Sequence, residues 1–405
     1  MQRTAVSGTP QNRTAILSAV RTPIGKYGGA LREVPAVALG TLAVQSALDR
    51  AHVSPADVPL VVMGHCIQAG AGQNTARQVL RGAGIPDSSG AFTVNMVCGS
   101  GIQAIMTADA YLRAGDFGLV VAGGMESMSN APYLVPASAR WGFKAGRQTL
   151  DDAVLRDSLL DAYGDHEHMG LTGERIAQKF SITRTEADAF AVRSHQAAFR
   201  ANADGTFTSE TVPVPGSLTP GGGGLQRDEG PRGNSTPETL AKLRPAFTPG
   251  GVLTAGNSSQ LSDGGAALVL ASGAEVERRG LRPIAWIHSA AVGGVAPSDV
   301  MEAPIPTVKA HLQRVGLAAS EFDRFEHNEA FSTASIAVQR SFDVDDRKFN
   351  VHGGAVALGH PIGASGARIV VTLIHELIRS QGHLGLATAC MGGGNGLSVI
   401  VERSE

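Results

Sequence analysis

The sequence predicts an α/β fold. Short β-branched runs alternate with longer helical patterns over residues 14–122, and residues 320–401 repeat the alternation at a nearly constant offset. Between them lies a segment of different character, residues 131–250, richer in charge and ending in a Pro/Gly stretch with Pro220 and the glycines 221–224.

In chain order, residues 14–20 read as a strand, 36–50 as a helix, 60–63 and 92–97 as strands. A helix opens at Ser100-Gly101, and residues 119–122 form the next strand. That order predicts largely parallel strands. Inside the middle segment, Thr183-x-x-Glu186 has the form of a capping box for a helix running to about Ala203. In the last third, residues 325–328 read as a strand and Ser365-Gly366 opens a helix. Its Ile369, Val370, Leu373, Ile374, Leu377 and Ile378 form one apolar face. Strands at 385–388 and 397–401 follow.

The repeat is measurable. Ser54-x-x-Asp57 and Ser320-x-x-Asp323 each precede a strand, 266 residues apart. The two Ser-Gly pairs stand 265 apart, and the strands starting at Gly118 and Gly385 stand 267 apart. Three near-equal offsets in one order predict two similar half-domains with an insertion over one face of the core. Insertions of this size tend to carry binding surface.

The chain has 405 residues, with 34 Lys+Arg against 36 Asp+Glu. At about 150 residues per domain, that length predicts two or three domains. A hydrophobic share of 43% excludes disordered and fibrous classes, and a net charge of −2 argues against general affinity for nucleic acid or anionic membrane. Three cysteines without a CxxC pair exclude a disulfide scaffold and a cysteine-rich zinc module, and point to a reducing compartment. No metal is expected, since the histidines and cysteines show no close ligand spacing.

Residues 1–13 lack an apolar core and read as a loose leader rather than a secretory signal, and Val-Glu-Arg-Ser-Glu at the end carries no targeting tripeptide. Residues 88–108 are charge-free, but Asn95, Gly99, Ser100, Gly101 and Gln103 interrupt them. They read as a buried strand and helix, not a membrane span.

Charge-free tracts make their remaining polar residues informative. Cys98 follows a predicted strand and precedes a predicted helix, where unpaired N–H groups favour a thiolate nucleophile. A buried, inert thiol is the other reading. His360, held between Gly359 and Pro361, suits proton transfer or donation to an oxyanion, or is a satisfied core histidine. Cys390 ends a strand before Gly392, Gly393 and Gly394, whose N–H groups could form an oxyanion hole. Asn328 could orient a water or carbonyl, while Glu329 reads as a buried structural carboxylate or a base. Cys66 and His352 have nothing to set them apart, and Cys66 reads as packing.

These residues together resemble the thiolase family, which makes or cleaves 3-ketoacyl-CoA. The resemblance runs from Ala19-Val20-Arg21-Thr22-Pro23 through Gly72-Gln73-Asn74, Asn95-Met96-Val97-Cys98-Gly99-Ser100-Gly101 and Gly123-Gly124-Met125-Glu126-Ser127. It continues through Thr254-Ala255-Gly256-Asn257-Ser258-Ser259, Asn328-Glu329-Ala330-Phe331, Gly359-His360-Pro361 and Cys390-x-Gly392-Gly393-Gly394.

It implies a five-layered αβαβα fold of two duplicated halves with an inserted loop domain. The halves would be residues 1–130 with 251–279, and 280–405; the loop domain, residues 131–250, would bind coenzyme A. By resemblance Cys98 is the nucleophile, His360 helps generate its thiolate, and Cys390 exchanges the proton at the acyl α-carbon. Asn328 holds a water that stabilises the enolate together with His360. The N–H groups of Cys98 and Gly392 form a second oxyanion hole. His168 and Met169 line the pantetheine channel and Ser259 contacts the pantetheine.

Coenzyme A and acyl-CoA enter as substrates, with no tightly bound cofactor, no nucleic acid and no membrane partner. A cytoplasmic homotetramer, a dimer of dimers, is expected from the same resemblance. Ser332, Met391 and Asn395 depart from the commoner residues around the acyl pocket. Gly99 and His168-Met169-Gly170 resemble biosynthetic acetoacetyl-CoA thiolases, whereas Gln103 resembles the fatty-acid-degrading branch. The leading expectation is therefore reversible condensation of two acetyl-CoA. A broad-chain 3-ketoacyl-CoA thiolase and a non-catalytic acyl carrier are the alternatives.

Overall fold

A computed structural model describes residues 12–405, so most of the expected leader, residues 1–11, lies outside the described residues. The end of that leader is not loose. Arg13 pairs with Glu402 at 2.5 Å and lies over the Trp286 ring.

The first part of the chain forms β1 (Thr14–Arg21), β2 (Gly25–Lys26), α1 (Ala36–Ala51), β3 (Leu60–Gly64) and α2 (Thr75–Gly82). It continues with β4 (Gly90–Val94), α3 (Ser100–Ala114) and β5 (Leu119–Ser127). The insertion carries the two short strands β6 (Tyr133–Leu134) and β7 (Asp151–Asp152), then α4 (Met169–Lys179), α5 (Arg184–Ala203) and α6 (Pro237–Ala241). Both halves of the capping box at Thr183 and Glu186 form, as the sequence predicts. Strand β8 (Ser262–Ser272) returns the chain to the first half. Helix α7 (Gly273–Arg279) packs on β8 and β1 of that half. The second half comprises β9 (Ala285–Gly294), α8 (Pro304–Val315), β10 (Arg324–His327) and α9 (Ser332–Ser341). It ends with α10 (Ala355–Leu358), α11 (Ile362–Ser380), β11 (Leu384–Met391) and β12 (Asn395–Arg403).

The strands lie in the order β10-β11-β12-β9-β1-β8-β5-β3-β4. Read outward from the β9–β1 seam, β1-β8-β5-β3 on one side answers β9-β12-β11-β10 on the other. This is the duplication that the constant offset predicts. Helices α1 and α2 cover the outer face of the first half and α8 that of the second, while α3 and α11 pack together in the middle. The result is five layers, α/β/α/β/α. Because both faces of each sheet are covered, β1, β3, β5, β8 and β11 are buried along their whole length.

Three expectations need correction. The strands are not largely parallel: among the described residues only the pairs β3–β4, β3–β5 and β10–β11 are. Strand β8 comes back from the insertion antiparallel to β1 and β5. Strand β12 folds back on β11 through a tight turn where Gly393 and Gly394 take φ of 89°. The strand expected at 92–97 stops at Val94, leaving residues 95–99 as a turn. Helix α11 begins at Ile362, so Ser365-Gly366 sits in its first turn rather than before it. The glycine-rich stretch before His360 holds one helical turn, α10.

Among the described residues, no helix is long and apolar enough to cross a membrane.

Candidate active site

The turn at residues 95–99 places Cys98 just before the N-terminus of α3, with Gly99 as the N-cap residue. Two glycines follow this thiol where the packing is too close for a side chain. A Cβ on Gly99 would collide with the sulfur of Met391, and one on Gly101 with the backbone nitrogen of Ala367 in α11. The nucleophile turn is thus pressed between the end of β11 and the start of α11. This explains why the two halves of the chain meet here.

His360 follows Gly359, whose φ of 109° no ordinary side chain would favour. Its Nδ1 lies 2.6 Å from Ser365 Oγ, and that hydroxyl donates to the Pro361 carbonyl at 2.9 Å. The hydroxyl therefore accepts from the ring, which assigns the proton to Nδ1 and a lone pair to Nε2. Asn328 Nδ2 stands 3.4 Å from that Nε2. Asn328 Oδ1 is buried without a hydrogen-bond partner among the described residues. Burial, then the nearby Arg368 guanidinium, lowers the His360 pKa to about 3. The ring is neutral at physiological pH and able to accept a proton.

Enclosure of the Cys98 sulfur pushes its thiol up to about 12, opposed by the backbone N–H groups of Gly392 and of Cys98 itself, which are directed at the sulfur. Cys390, at the end of β11, is pushed further up by burial and by the neighbouring Cys98. Its sulfur is 3.8 Å from that of Met301.

Cys98, His360, Cys390 and Gly392 line a single cavity of about 50 Å³. Ser158 and Ser259 also line it, and the remaining wall is apolar, including Leu159, Met169, Met301 and Phe331. The three candidate groups expected from the sequence are therefore brought together from three separate segments: the turn before α3, the loop before α11 and the end of β11. Asn328 lies behind His360 rather than on the cavity wall. His168 is also not a wall residue: its Nδ1 accepts from Gly170 N–H at 3.0 Å to cap α4, and its ring stacks on Phe247 at 5.0 Å. A second cavity of about 460 Å³ adjoins the first across Ser158, Met169 and Gly392.

Other candidates resolve into structure. Glu329 is buried and accepts from Ser194 Oγ at 2.7 Å, Asn350 Nδ2 at 2.8 Å and Val356 N–H at 3.1 Å. It ties α5 of the insertion to the second half. His352 pairs with Glu376 at 2.7 Å. Sequence reading did not assign Ser365 its contact with His360. The signal was available in the fixed spacing His360-Pro361-x-x-x-Ser365. No comparable pattern marks Leu159 or Met301, which reach the cavity only through folding.

Two thiols and a neutral imidazole around one apolar pocket, with backbone N–H groups aimed at a sulfur, define a class of enzymes that carry acyl groups on cysteine. Residues 14–274 match the thiolase N-terminal domain and residues 281–403 the thiolase C-terminal domain. The chain belongs to the thiolase family. It is 45% identical over 388 residues to an acetyl-CoA acetyltransferase of Escherichia coli (strain K12), covering 96% of this chain and 98% of that one. A crystal structure of the Bacillus anthracis acetyl-CoA acetyltransferase superposes with a TM-score of 0.94 at 41% identity, covering 97% of this chain and 99% of that one. Human mitochondrial 3-ketoacyl-CoA thiolase in complex with CoA superposes with a TM-score of 0.93 at 38% identity, covering 97% of this chain and 98% of that one.

Proposed function

We propose that this protein is an acetyl-CoA C-acetyltransferase. It would condense two acetyl-CoA to acetoacetyl-CoA and CoA, and run thiolysis in reverse. The observation that carries the reading is the convergence of Cys98, His360 and Cys390 on one small cavity. In thiolysis, Nε2 of His360 takes the Cys98 proton as the sulfur attacks the 3-keto carbon. The bond between the α-carbon and that carbonyl breaks, and its electron pair leaves as an enolate, which Cys390 protonates. Acetyl-CoA departs. The CoA thiol then gives its proton to the Cys390 thiolate and attacks acetyl-Cys98, and the released Cys98 thiolate recovers its proton from His360. The N–H groups of Cys98 and Gly392 would hold the thioester oxygen; a water on Asn328, with His360, would hold the enolate oxygen.

A cavity of about 50 Å³ accommodates roughly three or four heavy atoms, which favours an acetyl group over longer chains. The adjoining 460 Å³ cavity favours the broad-chain 3-ketoacyl-CoA reading instead, if its shared wall can part. Comparing kcat/KM for acetoacetyl-CoA with that for a C8 ketoacyl-CoA decides between them. The expected preference is for the shorter substrate; a strong preference for C8 overturns it. Cys98→Ala is expected to abolish covalent labelling by acetyl-CoA, while Cys390→Ala keeps labelling but lowers condensation by about a thousandfold or more.

Residues 131–250 are proposed as the CoA-binding loop domain, with His168, Met169 and Ser259 along the pantetheine channel. A cytoplasmic dimer of dimers is proposed from the family resemblance. Its support is the exposed apolar surface around β6 and β7, where Tyr133, Trp141 and Leu150 are 66%, 87% and 59% exposed. Sedimentation at a monomer's rate would reject it.

A further inference from the structure

The turn that presents Cys98 is strained at the residue before it. Val97 has φ of 47°, a region a β-branched residue enters only when its surroundings hold it there. Its N–H donates to Asn95 Oδ1 at 3.1 Å. Its carbonyl accepts from three donors: Ser100 N–H at 3.0 Å, Ser100 Oγ at 2.7 Å and the Cys66 thiol at 3.1 Å. Two of these come from the turn itself. The third comes from outside, since Cys66 follows β3.

Cys66 is itself fixed. Its N–H donates to Glu126 Oε2 at 3.2 Å, and the same oxygen accepts from Gly363 N–H, in the first turn of α11, at 3.0 Å. Asn95 Nδ2 donates back to the Cys66 carbonyl at 3.3 Å. Cys66 is only 4% exposed, and burial, with the Glu126 carboxylate, keeps it a thiol able to donate. Through Glu126 it is linked to α11, whose Ser365 holds His360.

We propose that Cys66 is a positioning residue for acylation of Cys98: its S–H bond to the Val97 carbonyl holds the left-handed turn that sets the nucleophile against His360. This rests on the thiolase reading given above. A residue that only filled space would need the volume of a thiol but not its donor.

The test compares Cys66→Val, which keeps similar bulk without a donor, with Cys66→Ser, which keeps a donor. In thiolysis of acetoacetyl-CoA, Cys66→Val is expected to lower kcat about five- to twentyfold with KM for CoA nearly unchanged. Cys66→Ser is expected to stay within about threefold of the parent. The rate at which iodoacetamide modifies Cys98, followed on the peptide that carries it, should shift in the same order. A Cys66→Val protein as fast as the parent, or a Cys66→Ser protein as slow as Cys66→Val, overturns the proposal. If the parent shows no thiolysis, the functional reading fails, while the Cys98 modification rates still decide the role of Cys66.

Discussion

At Cys98 two influences oppose each other. The start of α3 and the N–H groups of Gly392 and Cys98 favour thiolate, whereas enclosure of the sulfur disfavours it more, leaving the thiol at about 12 instead of its ordinary 9.0. The sequence left both influences open, offering a thiolate nucleophile and a buried thiol as alternatives. The folded site holds a thiol that shares its cavity with a neutral imidazole, and under the proposed mechanism the proton moves when substrate arrives. For an acid whose pKa is raised, the ionised fraction at any given pH is reduced. Alkylation of Cys98 in the free enzyme should therefore keep rising between pH 7 and 10. A plateau near pH 7 would mean that a resting ion pair with His360 is present. The types and spacing of Cys98, His360 and Cys390 were legible because each stands in a charge-free tract beside glycine. The roles of Ser365 and Cys66 were not, because each depends on which carbonyl or ring nitrogen folding places within about 3 Å.

At the scale of elements, the close approach of α3 and α11 decides the geometry of the site. Gly101 faces the Ala367 backbone, and a Cβ on Gly124 of β5 would strike the Gly363 carbonyl. These contacts leave no room for a methyl group. Gly101→Ala is expected to destabilise the fold by about 1–3 kcal/mol, read from chemical denaturation, with greater loss of activity than of stability. An unchanged midpoint would show that the helices can separate at little cost. Helix α5 was legible to the residue because its capping box is local. The parallel reading of the sheet failed because the direction of β8 and β12 depends on where the insertion and the Gly392–Gly394 turn return the chain, which no local pattern records.

Over the whole molecule, four buried histidines stay neutral. Burial lowers His327 and His360 from 6.5 to about 3, and His195 and His311 to about 4. Unfolded, each takes a proton near pH 6.5; folded, it does not. Stability is thus retained above pH 6.5 and lost as pH falls, at up to about 1.4 kcal/mol per pH unit for each group. Asp263, raised to about 6 by burial, works in the opposite direction, as do Asp157, Glu326 and Glu329, also raised by burial; the histidines outnumber them, since burial lowers His168, His288 and His375 as well. The melting temperature should fall steadily between pH 6.5 and 4.5. A flat profile over that range would show that these rings gain protons without unfolding.

The sequence by itself determined the duplication and the insertion, and it singled out Cys98, His360 and Cys390 as candidates. Periodicity, charge-free tracts and glycine spacing are properties of neighbouring residues and survive without coordinates. Only the tertiary structure decided the protonation state of those groups, the antiparallel returns of β8 and β12, and the partners that aim the nucleophile. Desolvation, strand direction and hydrogen bonding all depend on atoms far apart in the chain, whose positions exist only once both halves have closed on α3 and α11.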